Sequence, residues 1–222
     1  IKNGTKGVVP GGTTGESPTL SHKEHKKIIE IAVQECKGKI PEVSGTGSNS
    51  TSEAIELSKY AEKAGSDALL VVTPYYNKPT QEGLYQHYKA INDNTNIPII
   101  IYNIPSRCVI DMSVDTMSRL FELKNIVGVK DATGDLNRID QTIKKLGPEF
   151  IQLTGEDGLA FEFNKRGGVG IISVTANIAP KLCSDFQKYS KSKSDNEIKE
   201  AERIDQMLQP LHKALFIESN PA

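Results

Sequence analysis

Asn125-Ile126-Val127-Gly128-Val129-Lys130 is a short apolar run that ends in a lysine, and Asp131-Ala132-Thr133-Gly134 follows it directly. A continuous β-branched run of this length is typical of a strand in a parallel sheet that is covered on both faces. The chain contains six further runs of this kind. They are Gly7 to Pro10, Glu42 to Gly45, Ala68 to Thr73, Ile97 to Tyr102, Phe150 to Thr154 and Gly170 to Val174.

Amphipathic helical segments alternate with these seven predicted strands. Ser21-His22-Lys23-Glu24 has the pattern of a capping box and predicts a helix that runs to Cys36. Ser50-Thr51-Ser52-Glu53 predicts a second one, running to Ala64. A strand and a helix in each unit of roughly 25 to 30 residues is typical of βαβ folds. Two architectures fit, a doubly wound open sheet and a (β/α)8 barrel that lacks its first strand. Glycines stand where helix C-caps belong, at Gly38, Gly65, Gly147 and Gly167.

The regular alternation favours the barrel. The chain opens at Ile1-Lys2-Asn3-Gly4, which resembles the end of a helix, and closes at Asn220-Pro221-Ala222 directly after a helical pattern. We interpret both ends as cuts through a larger protein. The predicted fold is therefore an α/β (β/α)8 TIM barrel, truncated, with its first strand and C-terminal helices missing. Strands two to eight are expected in residues 1–177. A C-terminal helical region is expected to begin in residues 178–222, with helices over 178–189 and 195–218.

The composition is that of an ordinary globular protein, with 25% charged and 37% hydrophobic residues. A formal net charge of −1 gives no general attraction to nucleic acid or to an anionic membrane. The longest apolar run, Ile97 to Ile104, is too short to span a bilayer, and no signal peptide is visible. Cys36, Cys108 and Cys183 cannot form a fully paired framework and lack metal-ligand spacing, so we interpret them as reduced thiols of a cytoplasmic protein.

Side chains that can take part in catalysis follow consecutive strands. Burial lowers the pKa of an amine, so Lys130 at a strand end could be a neutral nucleophile that forms a Schiff base with a ketone. Tyr102, one strand away, can relay protons, and Arg107 can clamp a carboxylate. Each residue alone has an ordinary explanation, as a solvated cation or a core tyrosine. Together, at the strand ends where barrels place their active sites, they favour a catalytic site.

Two glycine-rich stretches are candidate ligand-binding loops. The free N–H groups and hydroxyls of Gly11 to Glu16 are suited to holding a carboxylate, and the Gly-Lys-Ser/Thr ending of a nucleotide P-loop is absent. Gly45 to Ser50 lacks the third glycine of a dinucleotide fingerprint, and no acidic residue closes the next strand. The sequence therefore favours a carboxylate ligand over ATP, GTP or NAD.

Five motifs follow one another in the order of a known family. They are Gly-Thr-Thr-Gly-Glu at 12–16, Thr-Pro-Tyr-Tyr-Asn at 73–77, Tyr-Asn-Ile-Pro-Ser-Arg at 102–107, Gly-Val-Lys-Asp-Ala-Thr-Gly at 128–134 and Gly-Ile-Ile-Ser-Val-Thr-Ala-Asn at 170–177. From Lys6 to Pro221 the chain closely resembles the dihydrodipicolinate synthase (4-hydroxy-tetrahydrodipicolinate synthase) family of the pyruvate-dependent class I aldolases. Members of that family are longer at both ends.

The resemblance implies a cytoplasmic lyase that condenses pyruvate with L-aspartate 4-semialdehyde, giving 4-hydroxy-tetrahydrodipicolinate in the first committed step of diaminopimelate and lysine biosynthesis. It implies a covalent lysine–pyruvate imine, no metal and no other cofactor. It also implies a homotetramer, built as a dimer of dimers. The implied residues are Lys130 for the Schiff base, Tyr102 as acid and base, Thr14 and a neighbouring subunit's Tyr76 in a proton relay, Thr13 and Thr14 for the pyruvate carboxylate, Arg107 for the semialdehyde carboxylate, and the main chain of Gly155 and Ile172.

A second set of residues matches the family's feedback site for lysine, and the resemblance therefore implies inhibition by that amino acid. A carboxylate, imidazoles and an amide can satisfy both ends of a zwitterion. The ordinary alternative is that some of them are helix-start residues. Pro18 replaces a small residue in this loop and could weaken the affinity for lysine. The set comprises Ser17, His22, His25, Asn49, Glu53 and Tyr75.

Two other functions are compatible with parts of this pattern. N-acetylneuraminate lyases share several of these motifs but usually lack an arginine at position 107, so a sugar-acid aldolase is the second choice. A metabolite-binding barrel without catalysis would not require Lys130, Tyr102 and Thr14 together. One departure from the family concerns the mouth of the site, where Cys108-Val109 replaces Thr-Gly. Losing the glycine is expected to stiffen the loop and alter how Arg107 is presented.

Overall fold

A computed structural model describes residues 1–221, and its centre is a six-stranded, fully parallel sheet. The strands neighbour one another in chain order, as successive βαβ units require. The strands are β1 (Val43–Gly45), β2 (Ala68–Val72), β3 (Ile99–Asn103), β4 (Ile126–Asp131), β5 (Ile151–Thr154) and β6 (Gly170–Ile171).

Helices connect the strands and continue after the last one. Short 3-10 helices at Ser17–Thr19, Asp157–Leu159 and Thr175–Asn177 lie in three of the connections. Among residues 1–221, no helix is long and apolar enough to cross a bilayer. The α-helices are α1 (His22–Cys36), α2 (Thr51–Ala64), α3 (Gln81–Asn92), α4 (Pro105–Cys108), α5 (Val114–Phe121), α6 (Asn137–Leu146), α7 (Ala160–Lys165), α8 (Pro180–Tyr189) and α9 (Asp195–Ala214).

Both faces of the sheet are apolar, as the continuous strand patterns predicted. Along β2, Leu69 and Val71 belong to a core shared with the helices, whereas Leu70 belongs to a cluster on the opposite face. Tyr102 and Ala132 are part of that second cluster. A third core joins α7, α8 and α9. The second cluster lies under the carboxyl ends of the strands and forms the floor of the candidate site.

The prediction of a strand from Gly7 to Pro10 is wrong, because the structure has a single parallel bridge between Val8 and Glu42 there. Val43 donates its N–H to the carbonyl of Val8 at 2.9 Å, and Gly45 donates to that of Pro10 at 2.9 Å. Pro10 has no N–H with which to return a bond. The ladder therefore lacks one of its alternating bonds, and this segment does not extend as a strand.

The two predicted capping boxes have different outcomes. Ser21 caps α1, and the side chain of Glu24 accepts from the Ser21 N–H at 2.9 Å, which confirms the first box. The second is wrong, since Ser50 makes no side-chain cap bond. The Glu53 carboxylate accepts instead from the Ser48 hydroxyl and pairs with His22. Of the predicted glycine stops, Gly65 is the C-cap of α2, with φ of 101° in the left-handed region.

Two elements end three or four residues earlier than predicted. β6 stops at Ile171 rather than Val174, because the N–H of Val174 donates to the Asp157 carboxylate at 2.9 Å instead of extending the ladder. α9 ends at Ala214 rather than at Glu218. The chain then turns back toward the carboxyl ends of the strands, where Asn220 lies.

Candidate active site

Lys130 lies near the carboxyl end of β4 and pairs in register with Tyr102 of β3. Lys130 is 8% exposed and Tyr102 is 5% exposed. The Nζ atom of Lys130 lies 3.9 Å from the centroid of the Tyr102 ring. Side chains in register on neighbouring strands project from the same face of a sheet. The sheet itself therefore places the amine over the phenol ring.

The environment of Lys130 makes its amine easier to deprotonate. Burial lowers the pKa of Lys130 to about 8, the carboxylates of Glu156 and Asp157 oppose that shift, and the guanidinium of Arg107 adds to it. An amine with a pKa of about 8 is roughly one tenth neutral at pH 7. The neutral amine is the form that attacks a carbonyl carbon, so part of the Lys130 population is nucleophilic at pH 7.

Gly155, directly after β5, leaves the space that the lysine side chain occupies. A Cβ at this position would lie 2.9 Å from Cε of Lys130 and 2.9 Å from Cβ of Ala132. Carbon atoms in favourable contact are about 3.5 to 4.0 Å apart. The Gly155 N–H donates to the Asp131 carbonyl at 2.7 Å, which fixes the backbone in this position. Glycine is therefore required at position 155 by close packing against Lys130.

Tyr102 carries a phenol that stays protonated at neutral pH. Burial raises the pKa of Tyr102, and the Thr13 hydroxyl and Arg107 guanidinium oppose that shift. The structure thus brings Thr13, rather than Thr14, against Tyr102. The hydroxyl of Thr14 donates to Oδ1 of Asn220 at 3.2 Å. The Thr14 hydroxyl, which was expected in a relay with Tyr102, therefore has a partner other than Tyr102 in this structure.

Asn220 is a residue at the site that sequence reasoning missed. Nη2 of Arg107 donates to its main-chain oxygen at 2.6 Å, while Thr14 donates to its side chain at 3.2 Å. Its own Nδ2 donates to the Leu215 carbonyl at 3.3 Å, just beyond α9. Asn220 therefore joins the two groups assigned to carboxylate binding. The Asn-Pro dipeptide, which marks turns, was the available signal.

Arg107 is exposed and belongs to the single turn of α4. Cys108 after it is buried, and Val109 closes the turn with φ of 69°, its N–H donating to the Pro105 carbonyl at 2.8 Å. Positive φ is strained for a β-branched residue. This strain lies two residues beyond Arg107, in the loop that the sequence predicted to be stiff. The effect on the presentation of Arg107 stays a prediction.

Tyr76 is not brought to Lys130 within this chain. It is 89% exposed and has φ of 72°. Tyr75 beside it is half-buried and packs against the cluster that contains Tyr102. Ile172 follows β6 and donates its N–H to the Thr154 carbonyl at 3.0 Å, which sets its main chain beside the end of β5. Gly155 and Ile172 are thus neighbours at the site, whereas Tyr76 lies in solvent.

The residues matched to a lysine site lie in the first turns of α1 and α2, on the segments before these helices, and on the loop after β2. His22 Nε2 lies 2.5 Å from Oε1 of Glu53. The carbonyl of Asn49 accepts from the Asn77 amide at 2.9 Å. His25 is buried, with Nε2 2.8 Å from the Gly45 carbonyl. The structure therefore pairs His22 with Glu53 but commits His25 to the backbone. Ser17 is half-buried in the first 3-10 helix, and Tyr75 is half-buried on the loop after β2.

Glu156 and Asp157 were also missed, since neither belongs to one of the five motifs. Burial raises the pKa of Glu156, and the Lys130 ammonium opposes that shift. Asp157 is 9% exposed and accepts hydrogen bonds from Ser173, Val174 and Thr175. Polar residues immediately after a strand of a predicted barrel were the available signal. The charges of both carboxylates raise the pKa of Lys130 and so oppose the effect of its burial.

Comparison with known proteins supports the geometry. The model of the dihydrodipicolinate synthetase family matches residues 1–222. The 4-hydroxy-tetrahydrodipicolinate synthase of Pelagibacter ubique is 70% identical over 222 residues, which are 100% of this chain and 76% of that protein. This likeness extends well beyond the five motifs of the site.

Solved structures agree with the sequence relatives. The chloride-inhibited dihydrodipicolinate synthase of Acinetobacter baumannii, complexed with pyruvate, is 48% identical with a TM-score of 0.95, over 100% of this chain and 75% of that one. The enzyme of Cyanidioschyzon merolae with lysine bound is 35% identical with a TM-score of 0.94, over 99% of this chain and 74% of that one. Matches of this extent, together with the buried lysine over its tyrosine, identify the chain as a member of the dihydrodipicolinate synthetase family.

Proposed function

We propose that the protein is a 4-hydroxy-tetrahydrodipicolinate synthase, a lyase that condenses pyruvate with L-aspartate 4-semialdehyde through a Schiff base on Lys130. This is the first committed step of diaminopimelate and lysine biosynthesis. The observation that carries the proposal is the buried Lys130, with a pKa lowered to about 8 and its Nζ 3.9 Å above the Tyr102 ring. The 70% identity to a named synthase supports it.

The chemistry follows from the neutral amine. Lys130 attacks the ketone carbon of pyruvate, and the carbinolamine loses water to give a protonated imine. The imine accepts electron density when a proton leaves the pyruvate methyl group, which gives an enamine. The enamine carbon then attacks the aldehyde carbon of the semialdehyde. Ring closure by the semialdehyde amine displaces Lys130, so the free amine is regenerated with the product.

Tyr102 is the proton donor and acceptor in this scheme. Its buried phenol lies beside Lys130, and its raised pKa keeps a proton available for the carbinolamine oxygen, which leaves as water. Thr13 faces Tyr102, so we assign the in-chain part of the relay to Thr13, with Thr14 holding the pyruvate carboxylate together with it. We assign Arg107 to binding the semialdehyde carboxylate bidentately. The main chain of Gly155 and Ile172 lines the pocket beside the imine.

Assembly of several copies would complete the relay. Tyr76 is 89% exposed, and its neighbour Tyr75 packs against the cluster that contains Tyr102, so an exposed phenol here is available to a neighbouring subunit. We propose a dimer with reciprocal Tyr76 contacts, paired again into a homotetramer. A Tyr76→Phe variant should lose activity without changing its oligomeric state in sedimentation experiments. Unchanged activity would contradict the role in the relay.

Lysine is proposed as a feedback inhibitor. The paired His22 and Glu53 supply an imidazole and a carboxylate in the first turns of α1 and α2, and the solved relative from C. merolae holds lysine. Glu53→Gln should weaken inhibition while leaving the rate without lysine unchanged, because Glu53 lies outside the Lys130 site. Full-length protein whose activity is insensitive to millimolar lysine would refute this part of the proposal.

Several expectations stay predictions. They are catalysis without a metal or other cofactor, a cytoplasmic location, and no nucleic-acid or membrane partner. The same holds for the closed (β/α)8 barrel, with strands two to eight in residues 1–177 and a C-terminal helical region from residue 178. The sugar-acid lyase is no longer favoured, since the close relatives are named as synthases.

Borohydride trapping tests the proposal. The full-length protein is incubated with pyruvate, reduced, digested and examined by mass spectrometry. We expect a reduced pyruvate adduct on the peptide that contains Lys130, none in Lys130→Ala, and an unchanged yield in Lys124→Ala, whose exposed lysine precedes β4. An unmodified Lys130 in the wild-type protein would disprove the Schiff base. An adduct without condensation of aspartate 4-semialdehyde would disprove the substrate assignment, and cleavage of N-acetylneuraminate would identify the alternative.

A further inference from the structure

Asp157 is a buried carboxylate immediately beyond the end of β5. It is 9% exposed and is the first residue of a 3-10 helix. A carboxylate taken from water must be satisfied by hydrogen-bond donors. All three of its donors come from the loop after β6. They are the Ser173 hydroxyl, the Val174 N–H at 2.9 Å and the Thr175 N–H at 3.2 Å.

These bonds clamp the loops after β5 and β6 to each other. Gly155 lies two residues before Asp157, and Ile172 lies one residue before Ser173. The Ser173 hydroxyl also accepts from the Ala176 N–H at 2.9 Å, which orients it toward the carboxylate. The main chain beside Lys130 on one strand is thus fixed relative to the main chain on the next.

Helix α9 holds the same two loops from behind. The Thr175 hydroxyl lies 2.7 Å from Nδ1 of His212, which is 9% exposed. The Gln209 amide donates to the Gly158 carbonyl at 3.2 Å. Both loops of the clamp are therefore hydrogen-bonded to the same long helix, which fixes their positions.

The charge of Asp157 also acts on the nucleophile. It opposes the effect of burial and raises the pKa of Lys130. A change at Asp157 should therefore alter both the geometry of the loop and the ionisation of the amine. Substitution of a residue that only supports the fold would change neither the pH profile of the reaction nor the affinity for substrate.

We propose that Asp157 is a positioning residue for the Lys130 reaction, which holds the 172–175 segment so that the Ile172 main chain faces bound pyruvate. Its role is exerted through the loop and does not require contact with the substrate. This inference rests on the proposed Schiff-base function. Asp157, which lies outside the five motifs, thereby aligns two of the strand ends that form the site.

Asp157→Asn is the principal test, because the amide keeps the size of the side chain but presents N–H groups to backbone donors. We expect KM for pyruvate to rise about fivefold, the loss associated with one net hydrogen bond. We expect kcat to fall by about tenfold to a hundredfold through misalignment. The acid limb of kcat/KM should move to lower pH, because the carboxylate no longer opposes deprotonation of Lys130.

Two further variants keep the test decisive. Asp185→Asn removes a carboxylate that pairs with Lys181 on α8, and it should match the wild-type protein. Ser173→Ala removes one donor but leaves the charge, so it should raise KM for pyruvate without moving the acid limb. Asp157→Asn with the KM, kcat and pH profile of Asp185→Asn would overturn the inference. If Asp157→Asn does not fold, an unchanged KM in Ser173→Ala overturns it.

The failure of this inference can be told apart from failure of the proposed function. Borohydride trapping of the wild-type protein is run alongside the variants. No adduct on wild-type Lys130 overturns the function and the inference together. A wild-type adduct, with Asp157→Asn and Ser173→Ala both kinetically equal to Asp185→Asn, overturns the positioning role alone.

Discussion

Replacing Gly155 with alanine adds a methyl carbon 2.9 Å from Cε of Lys130 and 2.9 Å from Cβ of Ala132. Favourable carbon contacts are about 3.5 to 4.0 Å, so the lysine must move by roughly 0.6 to 1.1 Å if the backbone stays in place. The backbone has little freedom, because the Gly155 N–H is bonded to the Asp131 carbonyl at 2.7 Å. A misplacement of about 1 Å at a reacting group can cost about a hundredfold in rate. We expect kcat to fall by about tenfold to a hundredfold, with about 1 to 3 kcal/mol lost from the free energy of unfolding through overpacking.

The rate of borohydride-trapped adduct formation measures this effect directly, since it reports the attack of Lys130 on pyruvate. Steady-state kinetics with both substrates and urea denaturation complete the assay. Gly158→Ala is the matched control, because a Cβ there meets only the Gln209 side chain, at the ordinary distances of 3.4 Å from Oε1 and 4.0 Å from Nε2. The reasoning is refuted if folded Gly155→Ala forms the adduct as fast as Gly158→Ala does.

Three other outcomes are expected. The acid limb of kcat/KM should have its midpoint near 8, because Lys130 must be neutral to attack; a midpoint at the ordinary value of 10.5 would contradict this. Burial raises the pKa of the Glu42 carboxyl in the folded protein above its value in the unfolded chain. The folded protein therefore loses stability as the pH rises from the unfolded-state pKa through the folded-state pKa. Glu42→Gln should raise the free energy of unfolding at pH 8 and not at pH 4. Urea denaturation at both pH values measures this, and an equal gain at both would be inconsistent with it. Val109→Gly should stabilise the protein by about 1 kcal/mol, because it relieves the strain of φ at 69°; a lower urea midpoint would count against that explanation.

The sheet was predictable because its information is local. A β-branched run such as Ile126 to Val129 specifies a buried strand without reference to the rest of the chain. Strand order then follows from the short βαβ spacing, and the end of each strand indicates which side chains meet. Lys130 and Tyr102 were placed together by this reasoning, and the structure pairs them in register.

The residues that were missed act through contacts that no local pattern reports. Asn220 bonds to Thr14 and Arg107, and Asp157 bonds to the loop after β6. The wrong strand prediction at Pro10 has a different cause. The effect of its missing N–H on pairing can be judged only once the partner strand is known. Glu53 likewise left its predicted cap for Ser48 and His22, because tertiary partners competed with the helix start.

The bonds of Asn220 impose an order on how the protein is made. Thr14 and Asn220 are separated by 206 positions, and Arg107 and Asn220 by 113. At a synthesis rate of about 5 to 20 residues per second, Asn220 follows Thr14 by about 10 to 40 s. Throughout that interval the emerging chain can pair its strands, but the mouth of its site stays untied. Translation that stops before residue 220 therefore yields a polypeptide with its lysine in place and its two carboxylate-binding groups unconnected.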